Sequence, residues 1–375
     1  MSASALCACS CERHYHFAWT WLAMSLRRLF PLDSHAKRDK RQSCVETANL
    51  TLYLESAIVS LLLALRLLPL AAMRLQSSHS FYSCAAHDQL LAAWEVAKNE
   101  PGPLELDLRT VSFFDPYGIV ALTVFLQSLP ESALPVSFSM PEFPLAKGQK
   151  PNERGPVAYL TLMGFWEEVG SKLAVPAALL PVRPQFSEDK NVLIDLTLMH
   201  TRDAVNVMLR KTGELLQTLG FGPVAKMHVL QVLSELSGNV LDHAQSEIGG
   251  VVTSQIYRSK RSGIRYLVMS IGDAGIGVRA SLAQNQKLAG RLDSDATALG
   301  VAVQRGNSRF SSERGLGLSS VLDVAKRYDG SVAMRSGRGA LAYRGEDDQR
   351  RVFDAPPQIG TQLRIMLPEN RLREK

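Results

Sequence analysis

The sequence predicts an α+β protein built from two folded segments. Three observations carry this reading. A strand, a turn and a helix follow one another over Leu104–Leu129, a proline-rich stretch covers Val175–Lys190, and strands alternate with amphipathic helices from Asn191 to about Pro368. At 375 residues the chain has room for two cores of about 100–200 residues each. The expected divisions are residues 1–72, an uncertain tail; 73–174, a first domain; 175–190, a linker; and 191–370, a second domain.

The composition, 46% hydrophobic and 21% charged, is that of a globular protein rather than a disordered one. The net charge of +6 is modest, and no dense basic stripe with interleaved aromatics occurs, so no nucleic-acid partner is expected. Cys7, Cys9, Cys11 and Cys44 crowd into the first 72 residues, leaving Cys84 alone beyond them. A nearly cysteine-free body fits a reducing, cytoplasmic setting. Cys-x-Cys-x-Cys is not the usual spacing of a zinc site, and no histidine pair completes one.

Leu50–Met73 is apolar, but its longest uncharged run, Ser56–Leu65, is ten residues against the roughly 20 a membrane helix needs. Arg66 and Pro69 work against insertion further, so no stable membrane insertion is expected. The residues before Met73 lack coherent periodicity or caps. They are expected to precede the natural start of the protein, with a genuine anchor or tail as the alternative.

From Met73 the pattern becomes orderly. His87–Ala97 sets Leu90, Leu91 and Trp94 on one helical face. Leu104–Leu108 alternates apolar and acidic residues, as a half-buried strand does. Phe113–Asp115 lead into a turn at Pro116–Gly118, and Ile119–Leu129 is apolar at helical spacing. Asp115 is expected to cap that helix. The stretch Leu104–Leu126 resembles the central part of STAS domains, the anti-sigma factor antagonist fold, with a weaker echo in Tyr159–Val169. In antagonists of that family a Ser or Thr before the glycine accepts phosphate. Here the position is Tyr117, after Pro116.

Seven prolines fall between Ser137 and Lys190, and those in Val175–Pro184 block both helix and central strand. Asn191–Leu196 then restarts as a strand, with the boundary near Phe186.

Three segments in the second half carry candidate chemistry. Val229–Ala244 is an amphipathic helix on which Glu235, Asn239 and His243 recur at i, i+4 and i+8. A carboxamide oxygen can ligate Mg²⁺, and a carboxylate can take a proton from a hydroxyl. Asp273, Gly275 and Gly277 follow the β-like run Tyr266–Ile271. An Asp there can accept from an exocyclic amine, and the glycines allow close backbone approach. Gly315 and Gly317 open a helix over Ser319–Arg327, presenting N–H groups to phosphate oxygens. Arg279–Arg314 between them is polar and reads as a mobile lid, with Arg309 and Arg314 as phosphate contacts or solvated charges. Gly360 and Thr361 precede a closing strand, Gln362–Leu367.

Together these segments resemble the GHKL (Bergerat-fold) ATPase superfamily. Its N-box matches Glu235, Asn239 and His243, its G1 box Asp273, Gly275 and Gly277, its G2 box Gly315 and Gly317, and its final Gly-Thr Gly360 and Thr361. The resemblance implies an α/β sandwich, a mixed sheet with helices on one face, holding ATP and Mg²⁺ under a flexible lid. It implies Asn239 as the magnesium ligand and Glu235 as the catalytic base, with Asn239, His243, Asp273, Gly275, Gly277, Arg314, Gly315, Gly317 and Thr361 around ATP. A proline-rich stretch replaces the phosphoacceptor hairpin of histidine kinases, and no gyrase-type transducer follows the last strand. The compact anti-sigma factor type is therefore expected. A protein serine/threonine kinase or partner-switching regulator, and a non-catalytic ATP-gated interaction module, are the two functions open to it. The expected partner is an anti-sigma antagonist or sigma-like regulator, and a homodimer stays open.

Overall fold

A computed structural model describes residues 73–99, 102–145, 152, 155–183, 191–259, 262–307 and 317–373. The segment 1–72 with its cysteines, the boundary at Phe186, and Arg309, Arg314 and Gly315 lie outside them.

The first module opens with β1 (Met73–Gln76), β2 (Phe81–Tyr82) and α1 (Cys84–Ala97), and continues through β3 (Leu104–Asp107), β4 (Phe113–Phe114) and α2 (Pro116–Gln127). β5 (Ser137–Ser139), α3 (Pro156–Leu162) and α4 (Phe165–Val169) complete it. β1, β3 and β5 form a parallel sheet in the order β1-β3-β5, and β2 pairs with β4 in parallel. Pro116–Gly118 is the first turn of α2 rather than a separate turn. Pro116 stands at the first helical positions, where its missing N–H costs nothing, and Asp115 caps the helix by accepting from Gly118 N at 2.7 Å. Every residue from Pro116 to Leu126 is buried. A helix apolar all round must be covered on all sides. Leu180 and the 3₁₀ turn Ala177–Leu179 show that the start of the proline-rich stretch is ordered, with Leu180 packed on the first core.

In the second module β6 (Val192–Met199) leads into α5 (Arg202–Thr218) and α6 (Pro223–Asn239), then β7 (Gly250–Arg258) and β8 (Arg265–Asp273). Three short helices follow, α7 (Gly277–Ala283), α8 (Gln286–Ala289) and α9 (Asp295–Ala302). The chain ends in α10 (Gly317–Arg327), β9 (Ser331–Arg344), β10 (Gln349–Pro368) and α11 (Glu369–Leu372). Thr201 caps α5 through Ala204 N, at 3.2 Å, and the helix turns Val205, Met208, Thr212 and Leu216 inward.

The five strands lie in the order β6-β7-β8-β10-β9. The expected mixed sheet is corrected: every adjacent pair in it is antiparallel. One crossover helix returns a strand parallel to its predecessor, whereas two successive helices, α5 and α6, bring the chain back to the end it left. The long helices of this module, α5, α6 and α10, lie on one face of the sheet. Strand alternation sends Ile256, Met269, Ile271, Leu363, Ile365 and Met334 into a core shared with α5, α6 and α10. On the other face α1 and α2 of the first module pack against β7, β8 and β10. The span Arg279–Arg314 is not a bare loop: its described residues hold α8, α9 and most of α7 around a small core of Leu282, Leu288, Leu292, Ala298, Val301 and Ala302.

Asp115 holds the two modules as well as its helix. Its Oδ2 accepts from Arg364 Nη1 on β10 at 2.7 Å, and the Asp115 side chain is fully buried. Burial pushes the Asp115 carboxyl up in pKa, while Arg364 and the Gly118 N–H work in the opposite direction. Truncating one partner of such a pair strands the other charge, at about 3 kcal/mol or more. Asn caps helices as well as Asp does, and Ala does not. Denaturant melts are therefore expected to show both Asp115→Asn and Asp115→Ala destabilised, with Ala worse by about 1 kcal/mol.

Candidate functional site

The site lies where α6, the end of β8, the start of α10 and the turn before Thr361 converge. α6 is a regular helix to Asn239, then widens into a π-helical turn over Val240–Ala244 and stops at Gln245, whose φ of 53° is left-handed. A π turn inside a helix often marks a functional position. Here it frees the Ala244 carbonyl to accept from Ile276 N at 2.8 Å, tying the helix to the turn after β8.

That turn must be glycine-built. A Cβ on Gly275 would collide with the Ala244 carbonyl, and Gly277 has a left-handed φ of 75°. Asp273, 4% exposed, anchors the turn: its Oδ1 accepts from Gly275 N at 2.8 Å and from Thr361 N at 3.3 Å. Burial raises its pKa to about 6, against those two N–H groups, which work to lower it. Ser336 on β9 completes the closure. Its hydroxyl donates to Gly360 O at 3.0 Å, accepts from Val278 N at 2.9 Å, and lies 3.2 Å from Thr361 Oγ1.

One cavity is lined by Asn239, His243, Asp273, Gly277, Gly317 and Thr361. Its walls are apolar, with Leu236, Val240, Ile271, Val278, Met334 and Leu363 among them. Gly275 packs behind the cavity against Ala244. Glu235 is half-buried one helical turn before Asn239, outside the lining but beside it. A Cβ on Gly317 would stand 3.0 Å from Glu235 Oε2 and 3.3 Å from Asn239 Nδ2. The two α6 side chains thus meet the first residue of α10, whose N-terminal N–H groups make an anion-favouring end. Asn239 Nδ2 is buried and has no hydrogen-bond partner among the described residues.

Asn239, His243, Asp273, Gly277, Gly317 and Thr361 meet at this cavity with Glu235 beside it, while the π turn interrupts the single helical stripe expected of Glu235, Asn239 and His243. Arg314 and Gly315 lie outside the described residues. The sequence reading missed Ser336. Its one local trace, a polar residue after the inward Val332 and Met334 of a strand, does not show what it bonds.

The donor set suits a magnesium–nucleotide. Among the described residues no group of three His, Cys, Asp or Glu side chains could hold a metal by itself. Asn239 offers a hard oxygen ligand to the cavity, with the Glu235 carboxylate beside it, which fits an ion that takes its remaining ligands from phosphate and water. The apolar walls and the buried Asp273 carboxylate fit a flat base carrying an amine.

Residues 225–371 match the family model of histidine kinase-, DNA gyrase B- and HSP90-like ATPases. This part of the chain is a GHKL-type ATPase domain, of the class that binds ATP. No curated protein matches the chain. Among solved structures, the N-terminal domain of a DNA repair protein is similar at 14% identity, over 39% of this chain and 42% of that one. Its TM-score of 0.18 carries no argument about fold or function. No helix among the described residues is long and apolar enough to cross a membrane.

The raised pKa of Asp273 has a consequence for stability. Its folded value, about 6, exceeds the ordinary 3.8, so the folded state holds the proton more tightly. The resulting stabilisation is complete below pH 4 and is lost as pH rises through about 6, amounting to about 3 kcal/mol for the full shift. Denaturant melts from pH 4 to 7 are expected to show this loss in the native protein and not in Asp273→Asn. Parallel profiles for the two would contradict it.

Proposed function

We propose that this protein is a Mg–ATP-dependent regulator of the anti-sigma factor type, acting as a protein serine/threonine kinase or partner switch. In this reading residues 73–174 are a STAS-like domain, joined by residues 175–190 to an ATP-binding domain spanning 191–370. The partner is an anti-sigma antagonist or a sigma-like regulator. The observation that carries the reading is the meeting of Glu235 and Asn239 with Gly317 at one end of a cavity closed by Asp273 at the other.

Asp273 would accept a hydrogen bond from the adenine amine while the apolar walls enclose the ring. Asn239 Oδ1 would ligate Mg²⁺, which neutralises phosphate charge when bound. The N–H groups at the start of α10, with Arg314 and Gly315 just before it, would face the phosphates. Glu235 would orient a serine or threonine hydroxyl of the partner and take its proton as that oxygen bonds the γ-phosphorus and ADP leaves. Catalysis of this kind is mostly positioning and charge neutralisation.

A second reading, a non-catalytic ATP-gated interaction module, is favoured by one observation. Tyr117, which stands where STAS antagonists carry their phosphoacceptor, is 1% exposed, and its hydroxyl is sealed inside. The nearest in-chain acceptor is therefore closed to any kinase.

Asn239→Ala is expected to abolish Mg–ATP binding. Glu235→Gln is expected to keep binding and lose transfer of label from γ-labelled ATP to the partner. Unchanged ATP affinity in Asp273→Ala would refute the pocket assignment, and tight binding without label on any protein would select the second reading. In thermal shift, ATP at a hundred times its Kd should add about 2.7 kcal/mol to stability.

A further inference from the structure

The sheet buries two unlike faces. Inward positions are mostly apolar, whereas the alternate positions facing the first module include Gln255, Ser270, Gln362, Arg364 and Arg335 beside the apolar Val251 and Val268. By alternation alone these polar residues would face solvent. Instead Gln362 is fully buried, Ser270 is 1% exposed and Arg335 is 4% exposed.

The cover is charge-matched but incompletely bonded. Arg364 pairs with Asp115, and Arg335 Nη2 pairs with Asp88 of α1 at 2.9 Å. Ser270 Oγ, both amide atoms of Gln362, and Arg335 Nε and Nη1 are nevertheless buried without hydrogen-bond partners among the described residues. Each such group costs free energy when dry and regains it when water returns. Such groups make this interface easier to loosen than one closed by apolar contacts alone, although Val251 and Val268 on the same face are fully buried too.

The same face lies one backbone layer from the cavity. Gly272 lines the cavity and immediately precedes Asp273. On its other side a Cβ would stand 2.9 Å from Val120 Cγ1 and 3.3 Å from Val124 Cγ2 of α2. With no side chain between them, α2 bears on the backbone that carries Asp273. Two further neighbouring pairs straddle the sheet in the same way: Thr361 and Gln362, and Arg335 and Ser336.

We infer that α2, seated on the outer sheet face through Asp115, positions Asp273 in the nucleotide pocket. The seating of α2 and nucleotide binding are then linked, each strengthening the other by the same factor. The inference rests on the nucleotide reading given above.

Hydrogen exchange on the full chain, with and without a non-hydrolysable Mg–ATP analogue, tests this. Amides of α2, which touch no part of the cavity, are expected to exchange about five-fold or more slowly in the presence of the analogue. If amides of the β8 end and α7 are protected while those of α2 are unchanged, the linkage is overturned and the pocket reading stands. If neither set changes at saturating analogue, the pocket reading fails and the inference falls with it. Arg364→Gln supplies the reverse arm. It should speed exchange in α2 and weaken analogue binding about five-fold; faster exchange at unchanged affinity would overturn the linkage.

Discussion

The structure depends on how one antiparallel sheet meets two layers at once. Its inner face satisfies the ordinary requirement, apolar side chains against the amphipathic faces of α5, α6 and α10. Its outer face sets Arg364, Arg335, Gln362 and Ser270 beside Val251 and Val268, and such a face can be covered only if its charges are met. Asp115 and Asp88 meet Arg364 and Arg335, and without those two contacts the first module would desolvate guanidinium groups for nothing. Asp115 does this while capping α2, so the start of the helix, its burial and its attachment to the sheet share one carboxylate.

The cavity on the inner side follows from backbone economy. Gly275, Gly277 and Gly360 let three chain segments approach until the Asp273 carboxylate and the Ser336 hydroxyl bond main-chain atoms directly. The π turn at Val240–Ala244 supplies the matching carbonyl from α6. The Asp273 carboxylate is thus cross-braced and buried, whereas Glu235 and Asn239 are half-buried and meet the start of α10.

Much of this was legible beforehand. Val229–Ala244 and Tyr266–Gly277 announce helix and strand through periodicity, as Ser319–Arg327 announces a helix, and the residue types in them are those on which the proposed nucleotide chemistry rests. The cap at Asp115 was legible as well, because capping is decided within four residues. Ser336 and the π turn were not. A lone serine in a strand acquires meaning only when Gly360 and Val278 are brought to it, and a π turn depends on what its freed carbonyl can bond.

What the sequence by itself determined is local: where strands and helices run, which face of each is apolar, and which positions tolerate only glycine. Those choices are made by neighbours a few residues apart. What only the tertiary structure decided is which polar face is buried and against what. Arg364 and Asp115 are 249 residues apart in the chain, and alternation marks Gln362 and Arg364 as solvent-facing. Only the arrival of α2 converts that face into an interface, because burial depends on long-range partners whose carboxylates no local pattern near Arg364 reveals.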